Sequence, residues 1–201
     1  INELNNFKET SKKYENTKLV IYTVVSGKYD IINEPIFCDE NIDYYVFTDQ
    51  NVSKTSVWKK ISFTDINIEH LSPLEQARYV KTHPHKFFKD YDCSMFIDGN
   101  IKLTCDVKPL FYSLLDSGKN MAVHRHQCRD CVYEEGIVVI ASGRVKFNDV
   151  YKQIKYYKKE KFPKHFGLFE TNVLIRNHNN PLCIQVMEDW WKQIKKFSKR
   201  D

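Results

Sequence analysis

No stretch of this 201-residue chain approaches the roughly 20 consecutive apolar residues that a membrane-spanning helix needs. No signal-peptide pattern opens it either. A cytoplasmic or cytoplasm-facing location is the default expectation, with any membrane association peripheral. Internal repeats are missing, and no linker is long enough to divide the chain. The expected organisation is a polar N-terminal leader over residues 1–17 and a single domain over 18–201. A strong charge bias is also missing, since the formal net charge is only +5. The densest group of cations (Lys152, Lys155, Lys158, Lys159, Lys161 and Lys164) comes with no nucleic-acid module, so it reads as a solvated helix face and no nucleic-acid partner is expected. The six cysteines are scattered. They read as reduced core residues rather than a disulfide scaffold.

Apolar residues make up 42% of the chain and aromatics 14%, a globular composition at a length that can bury a proper core. Residues 18–25 (KLVIYTVV) form a buried-strand pattern closed by Ser26-Gly27, and residues 43–48 (DYYVFT) form a second, ending at Asp49. A third strand is expected within 57–63. Ser72-Pro73-Leu74-Glu75 opens a helix with serine as N-cap, proline at the first position and glutamate three residues after the serine. That helix runs towards Phe88, with Pro84 interrupting it. Further strands are expected over 94–97, 120–126 and 171–176, and helices over 148–161 and 181–196. The apolar segment 137–141 fits either type. Strands alternating with helices predict an α/β sandwich with a mostly parallel sheet.

The chemistry concentrates at a few places. Asp98-Gly99-Asn100 follows a short apolar strand, where α/β proteins gather their ligands. Asp98 and Asn100 are oxygen donors suited to Mg²⁺ or Mn²⁺, and Gly99 lets the backbone approach a ligand closely. An ordinary Asp-Gly turn has the same sequence. Arg78 and Lys81 share a helix face ahead of that strand and suit a diphosphate, or they are two solvated cations. Between 124 and 135 lie two histidines, two cysteines and two glutamates. If that segment is extended, His124, His126 and Cys128 share a face and Cys131 closes a zinc set, although such sites more often use two separated pairs. Glu134 and Glu135 can serve as a general base on an acceptor hydroxyl, or balance Arg125 and Arg129. Glu170 and Asn172 share one face at strand spacing and can hydrogen-bond sugar hydroxyls. His178 is a candidate metal ligand. Ile184, Met187, Trp191 and Ile194, with Trp190 beside them, form a core stripe.

Taken in order, these blocks resemble the TOD1/MUCI70 glycosyltransferase-like family. The resemblance rests on Ile21-Tyr22-Thr23 through Gly27-Lys28-Tyr29-Asp30, Asp43-Tyr44 through Thr48-Asp49, and Arg78-Tyr79-Val80-Lys81 followed by Pro84-His85. It continues with Phe96 to Asn100, His126 to Glu135, and Gly167-Leu168-Phe169-Glu170 through Arg176-Asn177-His178-Asn179. It implies a GT-A α/β/α sandwich that transfers a sugar from a nucleotide-diphosphate sugar to a hydroxyl of a glycan or polysaccharide acceptor. By that resemblance Tyr22, Thr23 and Asp49 would meet base and ribose, and Arg78 and Lys81 the diphosphate. Asp98 and Asn100 would hold the divalent cation, and Glu170 would sit near the transferred sugar. Asn100 stands where the usual motif has a second carboxylate, which weakens the expected hold on the metal. Two other functions suit the same residues: a metal-assisted hydrolase of an amide or ester working through Glu134 or Glu135, and a non-catalytic glycan- or nucleotide-binding module.

Overall fold

The structure is a computed structural model that describes residues 12–27, 29–143 and 145–199. Most of the expected leader, Lys28 of the first family block and the last two residues lie outside that set. Among the described residues six strands form one sheet: β1 (Leu19–Val25), β2 (Ile42–Thr48), β3 (Lys59–Ile61), β4 (Cys93–Ile97), β5 (Met121–Arg125) and β6 (Phe169–Arg176). Their spatial order is β3-β2-β1-β4-β6-β5. The pairs β1–β2, β2–β3 and β1–β4 are parallel, and β6 runs antiparallel to both β4 and β5. Every strand except β6 therefore ends on the same edge. The described helices are α1 (Pro73–Thr82), α2 (Pro84–Phe87), α3 (Lys108–Asp116), α4 (Val132–Ala141), α5 (Phe147–Lys159) and α6 (Pro181–Lys196). The ambiguous segment 137–141 is the second half of α4. Helix α3 lacks a start signal of the Ser72–Glu75 kind: its N-cap position is Val107, and the Asp106 side chain accepts the Lys108 N–H at 2.9 Å instead.

Each face of the sheet carries its own core. On one, Leu19, Ile21, Val25, Ile42, Tyr44, Met95 and Ile97 meet Phe111, Tyr112 and Leu114 of α3. Tyr14 stacks on Tyr112 with ring centroids 5.2 Å apart, so the packing begins inside the expected leader rather than at residue 18. On the other face, Val20, Tyr22, Phe47, Phe88, Phe96 and Leu174 form an aromatic-rich layer beneath α1. There Tyr22 lies 5.0 Å from Phe88 and 5.3 Å from Phe96, tilted and edge-on, the arrangement that ring quadrupoles favour. Cys93, Cys131 and Cys183 are buried, whereas Cys38, Cys105 and Cys128 are exposed, so only half of the cysteines are core residues. The six lysines from 152 to 164 are all exposed.

Helix α1 starts on the predicted capping box of Ser72 and Glu75. Lys199 binds the same glutamate at 2.7 Å, and together Lys199 and Ser72 hold the Glu75 carboxyl down at about 2. The other end of α1 is anchored inside the protein. Its chain turns at His83, which leaves late carbonyls without helical donors. The Lys81 carbonyl accepts from Arg176 Nη1 at 2.7 Å and from the Tyr22 hydroxyl at 3.3 Å. Arg176, wholly buried, also donates through Nη2 to the Tyr22 oxygen. Arg176→Ala should leave a cavity and cost about 2–4 kcal/mol in urea unfolding. Arg176→Met should cost clearly less, since the Tyr22 hydroxyl still serves the Lys81 carbonyl and an apolar stem fills the space.

His83 is buried against Tyr79 and Trp191, and its Nδ1 lies 2.7 Å from the Tyr79 carbonyl. Burial pulls its pKa down to about 4, with Lys86 and His85 reinforcing the shift and the Tyr79 carbonyl and Glu188 opposing it. Burial lowers His85 as well. Between the folded and unfolded values the unfolded chain binds more protons, so this stability is complete above pH 6.5 and is lost as pH falls towards 4. Urea unfolding at pH 7 and pH 5 should differ by about 2 kcal/mol from His83 alone. His83→Gln should flatten that dependence.

Candidate active site

The edge where five strands end is the natural place for a ligand, and the order reverses between β1 and β4. At that point Asp98 follows β4. Its N–H donates to the Asn172 carbonyl at 2.9 Å across the antiparallel partner, so the two residues stand side by side. The Lys81 side chain is 1% exposed and reaches up from α1, placing Nζ 3.4 Å from Asp98 Oδ1, whose own side chain is 36% exposed. On the way the ammonium passes the Phe96 ring at 5.0 Å and the Trp190 ring at 6.0 Å. A buried cation is thus delivered to a half-open carboxylate, with aromatic faces easing its burial.

Gly99 lies at a close approach of neighbouring segments. A Cβ there would meet Val25 at 3.2 Å, the Val24 carbonyl at 3.3 Å and the Asp30 carboxylate at 3.4 Å. The segment after β1 crosses over this turn: Asn33 donates to the Gly99 carbonyl at 3.0 Å, and Gln50 donates to the Asp30 carbonyl at 2.9 Å. Asp49 is exposed at the end of β2. Two strand spacings separate it from the end of β4, about 10 Å. Arg78 lies on α1 one turn before Lys81, and its Nε donates to the Lys199 carbonyl at 3.2 Å. Asn100 is exposed on the turn.

Three expected site residues lie elsewhere. Tyr22 is wholly buried in the aromatic layer and offers no surface to a base or ribose. Thr23 is also buried, and its hydroxyl has no partner. The reason is that β1 continues to Val25, which leaves both residues inside the sheet, below its edge. His178 follows the end of β6, and because β6 is antiparallel that end lies beside Ser94, at the opposite edge of the sheet. Six residues of strand and turn past Asn172 put it roughly 20 Å from Asp98, too far to share an ion with it. It is buried, with Nε2 2.7 Å from the Phe88 carbonyl.

Beyond β5 the chain forms a polar cluster on the edge where five strands end. The N–H groups of Cys128 and Arg129 donate to His126 Nδ1 at 3.1 and 3.0 Å. Arg129 holds Glu135 at 2.5 Å. Glu134 stands apart from that pair, 3.8 Å from His165. Glu170 pairs with His124 in the β5–β6 register and receives the Gln127 N–H at 3.4 Å. Beside these residues a cleft of about 330 Å³ is walled by Val139, Ile154, Phe169, Trp190 and Ile194, with Glu135 at its polar side. Trp190 connects the cleft to Lys81. Neither Asn33 nor Trp190 is marked as site-forming by its local sequence: one acts through a loop crossing, the other stands beside a core stripe.

Asp98, Asn100 and Asn172 are oxygen donors, and the Asn172 side-chain oxygen is buried without a partner. This set suits a hard divalent cation such as Mn²⁺ or Mg²⁺. Calorimetric Mn²⁺ titration checks the assignment. Asp98→Asn should weaken binding at least tenfold, while His178→Gln should lower stability by about 1–2 kcal/mol and leave Mn²⁺ affinity unchanged.

The fold is that of the GT-A type glycosyltransferases, a mixed α/β sandwich on a mostly parallel sheet. The model of the TOD1/MUCI70 glycosyltransferase-like domain matches residues 4–201, and the chain belongs to that family. Among solved structures it is similar to WbbM, a bifunctional glycosyltransferase in its apo form, with a TM-score of 0.53 at 14% identity over 90% of this chain and 35% of that one. The chain therefore spans about a third of WbbM. A second match is mouse xyloside xylosyltransferase 1, also apo, with a TM-score of 0.44 at 12% identity over 90% of this chain and 75% of that one. No curated protein matches the sequence. No helix among the described residues is long and apolar enough to cross a membrane.

Proposed function

We propose that this chain is the catalytic domain of a glycosyltransferase that takes a sugar from a nucleotide-diphosphate donor and passes it to a hydroxyl group of a glycan acceptor. The observation that carries this reading is the Lys81–Asp98 pair at the point where strand order reverses, 3.4 Å apart with the lysine buried. A transferase of this kind must stabilise the charge that develops on the departing diphosphate, and preorganised cations in a partly dry site do so most effectively. Lys81 supplies one such charge, aimed by its burial. Arg78, one turn away on α1, adds a second on the same helix face. A divalent cation held by Asp98 and Asn100, with Asn172 alongside, supplies Lewis-acid neutralisation of the diphosphate when bound.

Asp49 and residues 29–33 flank the place for the nucleoside, in the roles first assigned to Tyr22 and Thr23. Glu170 faces the transferred sugar, its carboxylate steadied by the Gln127 N–H. The apolar cleft walled by Trp190 receives the acceptor, and Glu135, held by Arg129, is the carboxylate nearest an incoming hydroxyl.

Isothermal titration against a panel of sugar nucleotides, with and without Mn²⁺, tests the reading. One donor should bind, and both Asp98→Asn and Lys81→Met should reduce its affinity at least tenfold, the value of one charge-assisted contact. Product analysis with that donor should show transfer when a glycan is supplied, rather than hydrolysis alone. If no sugar nucleotide binds the folded chain, the proposal fails.

A further inference from the structure

A second cluster, separate from Asp98, has the chemistry of a metal site. Cys131 closes the loop after β5 as the N-cap residue of α4, Glu134 lies in the first turn of that helix, and His165 comes from the loop between α5 and β6. One ligand atom from each of the three lies within 4.8 Å of the others. We propose that Cys131, Glu134 and His165 bind one Zn²⁺ ion, with a fourth position left to water, and that the ion fastens the 160–168 loop to the start of α4.

Four features support the assignment. Thiolate, imidazole and carboxylate together form a donor set that suits zinc rather than Mg²⁺ or Mn²⁺. His165 is already oriented: its Nδ1 lies 2.7 Å from Asp130 Oδ1, which leaves Nε2 as the free ligand atom, 3.8 Å from Glu134 Oε1. A carboxylate behind the imidazole is the usual outer partner of a zinc-bound histidine. His165 also holds a left-handed backbone, with φ of 53°, a conformation that a residue other than glycine adopts at some cost. Finally, the backbone N–H groups of His165, Glu134 and Tyr133 surround the Cys131 sulfur, an outer set of donors that suits a metal-bound thiolate.

The loop is already tied to the same place by weaker contacts. Gly167 donates to the Asp130 carbonyl at 2.9 Å, and the Tyr133 hydroxyl donates to the Phe162 carbonyl at 2.7 Å. The backbone thus supports the cluster with zinc absent, and the ion would lock what these bonds begin. Of the cysteines and histidines first read as a zinc set, only Cys131 belongs to this one. His126 is occupied by backbone donors and Arg129, and Cys128 is exposed on the turn between them.

The test uses the full chain, reduced and stripped of metal. Equilibrium dialysis against zinc should give one bound ion per chain. Cobalt substitution should give a thiolate-to-metal charge-transfer absorption that is lost in Cys131→Ser and kept in Cys128→Ser. His165→Ala, an exposed position that leaves the core intact, should abolish stoichiometric binding, and Asp130→Asn should weaken it about 10- to 100-fold. Trypsin cleavage after the exposed Lys161 and Lys164 should slow at least severalfold when zinc is added. Asp98→Asn should leave all of these readouts unchanged, so the result does not depend on the proposed transferase chemistry. Absence of a thiolate band, or zinc binding that survives both Cys131→Ser and His165→Ala, would overturn the proposal.

Discussion

The candidate site depends on how the end of α1 is held. A helix that stops leaves carbonyls in need of donors. Here the Lys81 carbonyl finds them inside the protein, from Arg176 at the far end of β6 and from Tyr22 in the middle of β1. This fixes the backbone of Lys81 against the sheet, and its side chain then runs along Phe96 and Trp190 to Asp98. The helix is clamped at its other end as well, where Lys199 meets both Glu75 and Arg78. A buried guanidinium at one edge of the sheet thereby positions an ammonium at the other. Tyr22 and Arg176 belong to the site only through Lys81, as positioning residues that no ligand touches.

The direction of β6 organises everything else. If β6 ran parallel to its neighbours, its N-terminal residues would lie at the edge away from Asp98. Being antiparallel, it brings Glu170 and Asn172 beside the β4 turn and carries His178 to the opposite edge. The same reversal lets the loops before β6 and after β5 meet, which is how Asp130, Cys131, Glu134 and His165 come together from positions about thirty residues apart. One strand reversal thus accounts for the donors at the candidate active site and for the second cluster beside it.

Much of this was legible in the residues. The β-branched runs at 19–25 and 42–48 and the apolar run at 93–97 fall where their composition places them. The Ser72–Glu75 box starts its helix as written, and Pro84 ends it. The Asp98-Gly99-Asn100 turn lies at the edge where five strands end because a buried strand must end in a turn, and Gly99 stands where a Cβ would crowd Val25 and the Val24 carbonyl. Tyr22 and Thr23 were set at the site by the resemblance alone, whereas the strand pattern itself, running on to Val25, already keeps both below the edge. His178 was misplaced because a strand's direction leaves no trace in its own composition.

The sequence alone determined the alternation of strands and helices, the position of the acidic turn and the family to which the chain belongs, because these rest on local patterns and residue order. Tertiary structure alone decided which groups meet. It buried Lys81 yet aimed it at Asp98, turned Tyr22 and Arg176 into anchors, carried His178 away from Asp98, and brought Cys131 and His165 together. Each of those outcomes depends on strand order and direction, which are settled only when both faces of the sheet are covered and every buried polar group seeks its partner.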